Sequence, residues 1–421
     1  MAKRDNKHER RIKRFIVGTG LFTILLATST YAWFIGMKTV NVSPFDVKVA
    51  AIDGLSLSLD GITWADTVSI NKDNYNVATY TGNTNTWGGT GLIPISTVGV
   101  VSDTTSKLVM YEKGSLTVTP GGYRLMASLV ENTAGAEKSG YVAFDLFIKN
   151  LSGNEYYSEY NQLNEEAIYL EPDSMVKVGS AGVADTGIEN SVRVAFAQIG
   201  RVVATTTDST TIQGISCAET SGVTTICSKR KATIWEPNDT DHAANAINWY
   251  SKACKKRTGE DLTLGASYEG ACKTVEDGKY SKTYAVSGVI DYTDRVDVYD
   301  GTDYNEYTTS IASTPTAGKL NEVDYFTDTE KNLRGNDRPE FITLAPNSIT
   351  KVRIYIYIEG QDVDNYDFAS LGKQIAVNFS LSKERYFGED VDYNDEGTAT
   401  LPDDVIYENH KDPTNTATAG N

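Results

Sequence analysis

Histidine is nearly missing from this chain: three residues among 421, His8, His242 and His410. Zinc catalysis draws two or three protein ligands to one site, and no His-Glu-x-x-His occurs here. A serine triad would have to rest on His242 or His410, with no Gly-x-Ser-x-Gly elbow to present the nucleophile. Cysteine is scarce as well, with four residues and no Cys-x-x-Cys pair. Their spacings of 10, 27 and 18 do not resemble a zinc ribbon. Helix-period runs alternating with strands are also lacking, which argues against a doubly wound α/β fold. Paired carboxylates of a glycosidase stay open, because spacing in sequence says nothing about distance in space. The expectation is a protein that is not an enzyme, with a surface hydrolase as the weakest reading.

Charge is missing in one place where it matters. From Phe15 to Met37 no charged residue occurs, a run of 23. As a helix at about 1.5 Å per residue it would reach ~35 Å, enough for a bilayer core of ~30 Å. Ahead of it stand Lys3, Arg4, Lys7, Arg10, Arg11, Lys13 and Arg14, a block that stays cytoplasmic and sends the rest of the chain outward. Export is therefore expected. The most apolar part, Phe15 to Ala27, has the length of a signal peptide, and Thr30-Tyr31-Ala32 offers small residues for cleavage between Ala32 and Trp33. The full run has anchor length, so cleavage and a retained transmembrane helix both stand. A buried core helix fits poorly, because seven basic residues would abut the core.

Beyond Lys38 the chain is acidic and rich in β-formers. Its net charge is −17 although its leader is basic, so the exported part repels nucleic acid and anionic lipid. Period-two alternation marks the strands. Val352, Ile354, Ile356 and Ile358 make one face against Arg353, Tyr355 and Tyr357. Ile375, Val377, Phe379 and Leu381 alternate with Ala376, Asn378 and Ser380. Val142 to Ile148, Val192 to Phe196, Phe45 to Val49 and Leu55 to Leu59 repeat the pattern, with Gly- and Asp-rich turns between. One buried and one wet face predicts an all-β protein, antiparallel sheets packed as a sandwich.

One stretch departs from the pattern. Residues 205–280 turn polar and hold all four cysteines, and Asp241 is placed to cap a helix from His242 to about Arg257. This reads as an insertion between sandwich strands near Val194 and Val286. Outside the cytoplasm four cysteines suggest two disulfides. Of three connectivities, Cys217–Cys227 with Cys254–Cys272 is the simplest. The predicted organisation is then a leader and signal peptide or anchor over 1–37, sandwich over 38–204 and 281–382, the insertion between them, and an acidic flexible tail over 383–421. That tail holds no Leu-Pro-x-Thr-Gly signal (Leu401-Pro402-Asp403-Asp404 does not match) and too few apolar residues to fold alone.

The leader, the Ala27-Thr28-Ser29-Thr30-Tyr31-Ala32-Trp33-Phe34 junction and the strand Thr39 to Val49, running on to Gly54-Leu55-Ser56-Leu57-Ser58, resemble the camelysin/TasA family. Tyr141 to Asn150, and Lys351 to Gly360 followed by Gln361-Asp362, fit the same pattern. These are Gram-positive exported surface and biofilm-matrix proteins. The resemblance covers the leader and sandwich strands, not the cysteine insertion or tail. It implies a jelly-roll-like sandwich and, for some members, fibres formed by donating an N-terminal strand to the next subunit. Camelysins have been classed as metallopeptidases, an activity for which the histidines here offer no ligand set.

Site-level signals are few. Glu359, Asp362, Asp364 and Asp367 gather where a long strand ends, giving either a calcium site or a solvated acidic turn; the spacing is not that of an EF-hand. Tyr156, Tyr157 and Tyr160, with Tyr355 and Tyr357 on a non-core face, read as surface aromatics able to meet glycans or proteins, or as ordinary sandwich filler. Asn41, Asn150, Asn238 and Asn378 open glycosylation-like triplets that a chain this rich in Asn, Ser and Thr yields by chance. Expected partners are other copies or other surface and matrix proteins, and the membrane if the leader is uncleaved. The competing functions are a self-assembling structural subunit and a monomeric membrane-anchored adhesin.

Overall fold

A computed structural model describes, with short gaps, residues 43–238 and 330–383, together with 243, 244, 246, 283–286, 320–323, 392–393 and 399–400. All of these belong to the compact unit Thr39–Asn421. The leader, Ala32, Trp33, Asp367, Cys254, Cys272 and the three histidines lie outside the described residues. So does most of the helix expected from His242, of which Ala244 and Ala246 are helical. No helix among the described residues is long and apolar enough to cross a membrane.

The strands in chain order begin with β1 (Ser43–Ala51), β2 (Leu55–Ser58), β3 (Thr67–Ile70), β4 (Thr86–Trp87), β5 (Pro94–Ser102), β6 (Lys107–Thr119) and β7 (Gly122–Leu129). Next come β8 (Val142–Asn150), β9 (Glu166–Leu170), β10 (Met175–Val178), β11 (Val192–Val203), helix α1 (Ser209–Gln213), β12 (Thr224–Thr225) and β13 (Thr233–Trp235). The last are β14 (Thr283–Val286), β15 (Leu320–Val323), β16 (Ile342–Leu344), β17 (Ser348–Glu359), β18 (Gln374–Lys383), β19 (Asp392–Tyr393) and β20 (Ala399–Thr400). They form a twelve-stranded sheet, a six-stranded sheet ordered β16-β9-β18-β1-β3 with β10 also on β18, and the β19–β20 pair.

The expected alternation places β17 at the centre of the larger sheet, antiparallel to β11 on one side and to β8 on the other. Past the end of β8, β5 takes over beside β17 in parallel, pairing Ile358 with Pro94 and Glu359 with Ile95. Most pairings are antiparallel; β1 with β18, β5 with β17 and β7 with β14 are parallel. Facing pairs put Ile354 level with Phe196 and Phe144, and Ile356 level with Val194 and Val142. This aliphatic face meets the smaller sheet: the Phe196 ring lies 5.5 Å from Phe341 and 5.3 Å from Phe379 of β18, both edge-on. Burying each such side chain contributes roughly 1.5–3 kcal/mol.

The other face of β17 corrects the sequence reading. Tyr355 and Tyr357 are fully buried, as are Arg193, Ala195, Ala197, Ala143 and Phe147 beside them. Tyr355 sits between Ala143 and Ala195 on the flanking strands, whose small side chains leave room for its ring. Part of the cover is the first half of the supposed insertion. After β11 the chain turns through α1, capped by Asp208, and returns as β12 and β13 to pair again with β11. Ile212, Ile215, Cys217, Cys227, Ala232 and Ile234 from this stretch join the core that holds Tyr355 and Tyr357. Cys217 and Cys227 are disulfide-bonded across a Cα separation of 5.7 Å. Close docking depends on Gly99 (φ +77°): its carbonyl accepts from Ala232 N at 2.7 Å, and a Cβ there would lie 2.6 Å from Ala232 O. Residues 204–236 are thus part of the body, and β17 is covered on both sides.

Candidate functional site: buried charges on the large sheet

The chemistry-bearing side chains of the described residues gather in three buried groups. The first is built on β17 and β8, where Arg353 and Asp145 face each other across the ladder. Arg353 donates from Nε to Glu137 at 2.9 Å, from Nη1 to Asp145 at 2.7 Å and from Nη2 to Thr84 O at 2.7 Å. Tyr80 donates to the second oxygen of Asp145 at 2.5 Å, and Tyr141 and Tyr355 donate to Glu137 at 2.6 and 2.9 Å. Lys351 lies 3.6 Å from Asp145 and donates to Gln213 O at the end of α1, 3.0 Å away. Burial alone pushes the Asp145 carboxyl up, but Arg353, Lys351 and Tyr80 outweigh it and hold the group below its usual value. Burial pushes Lys351 down, only partly offset by Asp145. It pushes Tyr80 up, helped by the charge of Asp145.

The second group closes the far end of β17. Arg193 uses one nitrogen, Nη2, to reach both Glu236 and Asp362, the latter at 2.5 Å, and Nη1 to bond Asn190 O and Val192 O. Ser96 of β5 donates to Glu359. Asp362 accepts from the amide of Asp364 at 2.8 Å, and Asp364 from the amide of Ala243 at 2.8 Å. Burial raises Asp362, against the pull of Arg193 and with the push of Asp364.

The third group rests on Arg201, which binds Glu165 and the carbonyls of Tyr157 and Glu159. The rings of Tyr156 and Tyr160 each lie 5.9 Å from its guanidinium. Burial raises the Glu165 carboxyl even beside Arg201.

These positions decide how the sequence signals read. Glu359, Asp362 and Asp364 are buried, not a solvated turn. They bond Ser96, Arg193 and the Ala243 amide respectively, while Asp367, the fourth member of the candidate calcium set, lies outside the described residues. Among the described residues no three His, Cys, Asp or Glu side chains could hold a metal ion. Tyr156 and Tyr160 flank a buried cation, while Tyr157 is 38% exposed. Asn150 is buried and donates to Glu166 and Ala345 O, which leaves no room for a glycan. Asn238 is half-buried and spends its amide on Val176 O and Glu189 O.

Sequence reasoning missed Arg193, Arg201, Glu137, Asp145, Glu236 and Gln198. A signal did exist: a charge inside an apolar strand run, as Asp145, Arg193 and Arg353 each are, needs a partner. Gln198 acts differently. Its amide donates to Thr343 O at 2.6 Å and accepts from Thr343 N at 2.9 Å, engaging the β16 backbone as a strand would and joining the two sheets. The chemistry of all three groups is internal pairing: every one ties segments distant in sequence onto β11 or β17. Set against models of protein families, curated proteins and solved structures, the chain matches none of them.

Proposed function

We propose that the chain is an exported, non-enzymatic structural protein of a bacterial cell surface or extracellular matrix, a jelly-roll-like sandwich of the camelysin/TasA kind. The observation that carries this reading is the Cys217–Cys227 disulfide inside the β-rich body, since such bonds persist in oxidising compartments and are rare in the cytosol. The basic leader and the uncharged run after it agree with export. Ring contacts between the sheets through Phe196 and Phe379 support the sandwich. The test is intact mass, N-terminal sequencing and non-reducing peptide mapping of protein recovered from producing cells. An exported chain beginning at Trp33 with Cys217 linked to Cys227 is expected; a soluble cytoplasmic form with four reduced thiols would overturn the proposal.

Self-association is the preferred mode, through a freed Trp33–Ser43 strand pairing with a sheet edge of a neighbouring subunit. The second reading keeps the segment in the membrane and makes the protein a monomeric anchored adhesin; the length of the Phe15–Met37 run favours it. Light scattering and electron microscopy of 33–421 against 44–421 separate them. Assembly of the longer form alone supports strand donation, and monomers in both cases support the adhesin.

A further inference from the structure

The far end of β17 places two carboxylates on a single guanidinium nitrogen, since Glu236 and Asp362 both accept from Arg193 Nη2. All three residues are at most 5% exposed. Both acceptor oxygens lie within reach of the same atom, so they are close to each other and repel when both groups are ionised. Arg193 comes from β11, Glu236 from the residue after β13, and Asp362 from the turn after β17. Three segments therefore meet at one charge.

We propose that Arg193, Glu236 and Asp362 form a proton-linked latch, in which Asp362 takes up a proton beside Glu236 on the shared guanidinium and fastens the 360–365 turn to the 187–190 loop. With the proton in place the carboxyls share the guanidinium without repulsion; when it leaves, Asp362 is the member free to move, because it sits in a turn. Other groups facing the latch act in the same sense. Asp364, on the turn itself, and Glu359 and Tyr357, on β17, surround it, and Ser96 of β5 is neutral. The hydroxyl of Tyr357 is fully buried beside Glu359, Arg193 and Glu236 without a hydrogen-bond partner of its own. The loop across from the turn carries half-buried Glu189.

The turn hangs on these groups. Asp362 fixes the Asp364 amide, and Asn365 N donates to Asp362 O at 3.1 Å. Gly187, at φ +86°, lets the turn approach, since a Cβ there would lie 2.5 Å from Asp364 Oδ1. Burial holds Asp362 above the usual carboxylate range. Its contribution is therefore complete at pH values below the ordinary Asp value of about 4 and is lost as pH rises through the raised folded-state value. Acid tightens the latch and alkali loosens it.

The test is hydrogen exchange of the full exported chain from acid to mildly alkaline pH, corrected for intrinsic rates. Amides of residues 187–193 and 359–365 are followed against the β17 centre, Ile354 to Ile356. In the wild type, protection at the latch falls relative to that centre as pH rises, up to about tenfold for each unit by which folding displaces the titration. Asp362→Asn, and independently Glu236→Gln, remove one of the two competing charges and flatten the profile. A flat wild-type profile overturns the proposal even where neither variant folds. A profile that millimolar calcium chloride flattens, while Asp362→Asn does not, assigns a metal to the cluster and overturns it as well.

Discussion

The two faces of β17 are equally dry and otherwise opposite. Toward the smaller sheet stand Val352, Ile354, Ile356 and Ile358; on the opposite, outer face stand Lys351, Arg353, Tyr355, Tyr357 and Glu359. The first face is stabilised by area, at roughly 25 cal/mol per Å² of apolar surface removed from water. The second takes cations out of water, at several kcal/mol each, and pairing with carboxylates only offsets that cost. Little net stability is expected from it, yet it fixes position strictly. A slip of one residue would turn Arg353 into the aliphatic layer and Ile354 into the ion pairs. Area drives the sheets together, and the charges set the register in which they close.

The largest effect should come from removing a cation while its partners stay. Arg353→Leu leaves Glu137 and Asp145 buried with their main counter-charge gone, and should cost about 3–5 kcal/mol. On the other face Phe196→Ala removes a ring packed against Phe341 and Phe379, for a comparable ~3–5 kcal/mol. Chemical denaturation measures both. A cost under ~1 kcal/mol for Arg353→Leu would mean that its carboxylates reach water or protonate freely, and the contrast between the faces would fail.

Next comes the cover. Replacing Cys217 and Cys227 together by Ser should cost about 2–4 kcal/mol by freeing the loop they close. The loss should be lopsided. Hydrogen exchange ought to rise at β12, β13 and the amide of Leu108, which donates to the Tyr355 hydroxyl at 2.9 Å, while β18 stays protected. Equal loss at β18 would show that the two faces open as one unit.

A smaller effect is expected where the sheets are joined by one amide. Gln198→Leu leaves the N–H and C=O of Thr343 without their partner, a cost of about 1–3 kcal/mol. The same change uncovers part of the β16 edge, so light scattering should show more association than in wild type. A variant as stable and as monomeric as wild type would reduce Gln198 to filler.

The aliphatic face was legible because alternation of Val and Ile is a local signal, and β8, β11, β17 and β18 all fall where the pattern put them. The outer face was not. Alternation shows that Arg353 and Tyr355 point away from Ile354, but not that Thr84, Leu108 and Glu137 close over them or that residues 204–236 fold back onto the same face. That return depends on contacts such as Ala232 with Gly99, more than a hundred residues apart in the chain. The acidic turn shows the same limit. Carboxylates clustered in sequence suggested a shared ligand, whereas Glu359, Asp362 and Asp364 separate to partners on β5, on β11 and beyond β13. The Cys217–Cys227 pair was within reach because its loop is short; the carboxylate partners of Arg193, Arg201 and Arg353 lie 36 or more positions away.

The smallest effect at neutral pH should come from Lys351, and it carries the sharpest test of the outer face. Its amine is buried, lies 3.6 Å from Asp145 and bonds Tyr80 and the last carbonyl of α1. Arg353 still neutralises Asp145 when the lysine is gone. Lys351→Met keeps the apolar stem against Phe147 and Tyr80, so stability should stay within about 1 kcal/mol of wild type. The pH dependence should change more. Burial lowers the folded-state value of Lys351 below its ordinary one. Between those two values the unfolded chain binds a proton that the folded chain does not, so this group makes wild type gain stability as pH rises. Buried tyrosines whose values are raised, Tyr355 and Tyr357 among them, push the other way in both proteins and cancel in the difference. Denaturation midpoints from neutral to alkaline pH should therefore show wild type rising relative to Lys351→Met. Parallel profiles would place the amine in contact with water, and the outer face would then be open where it holds the last carbonyl of α1.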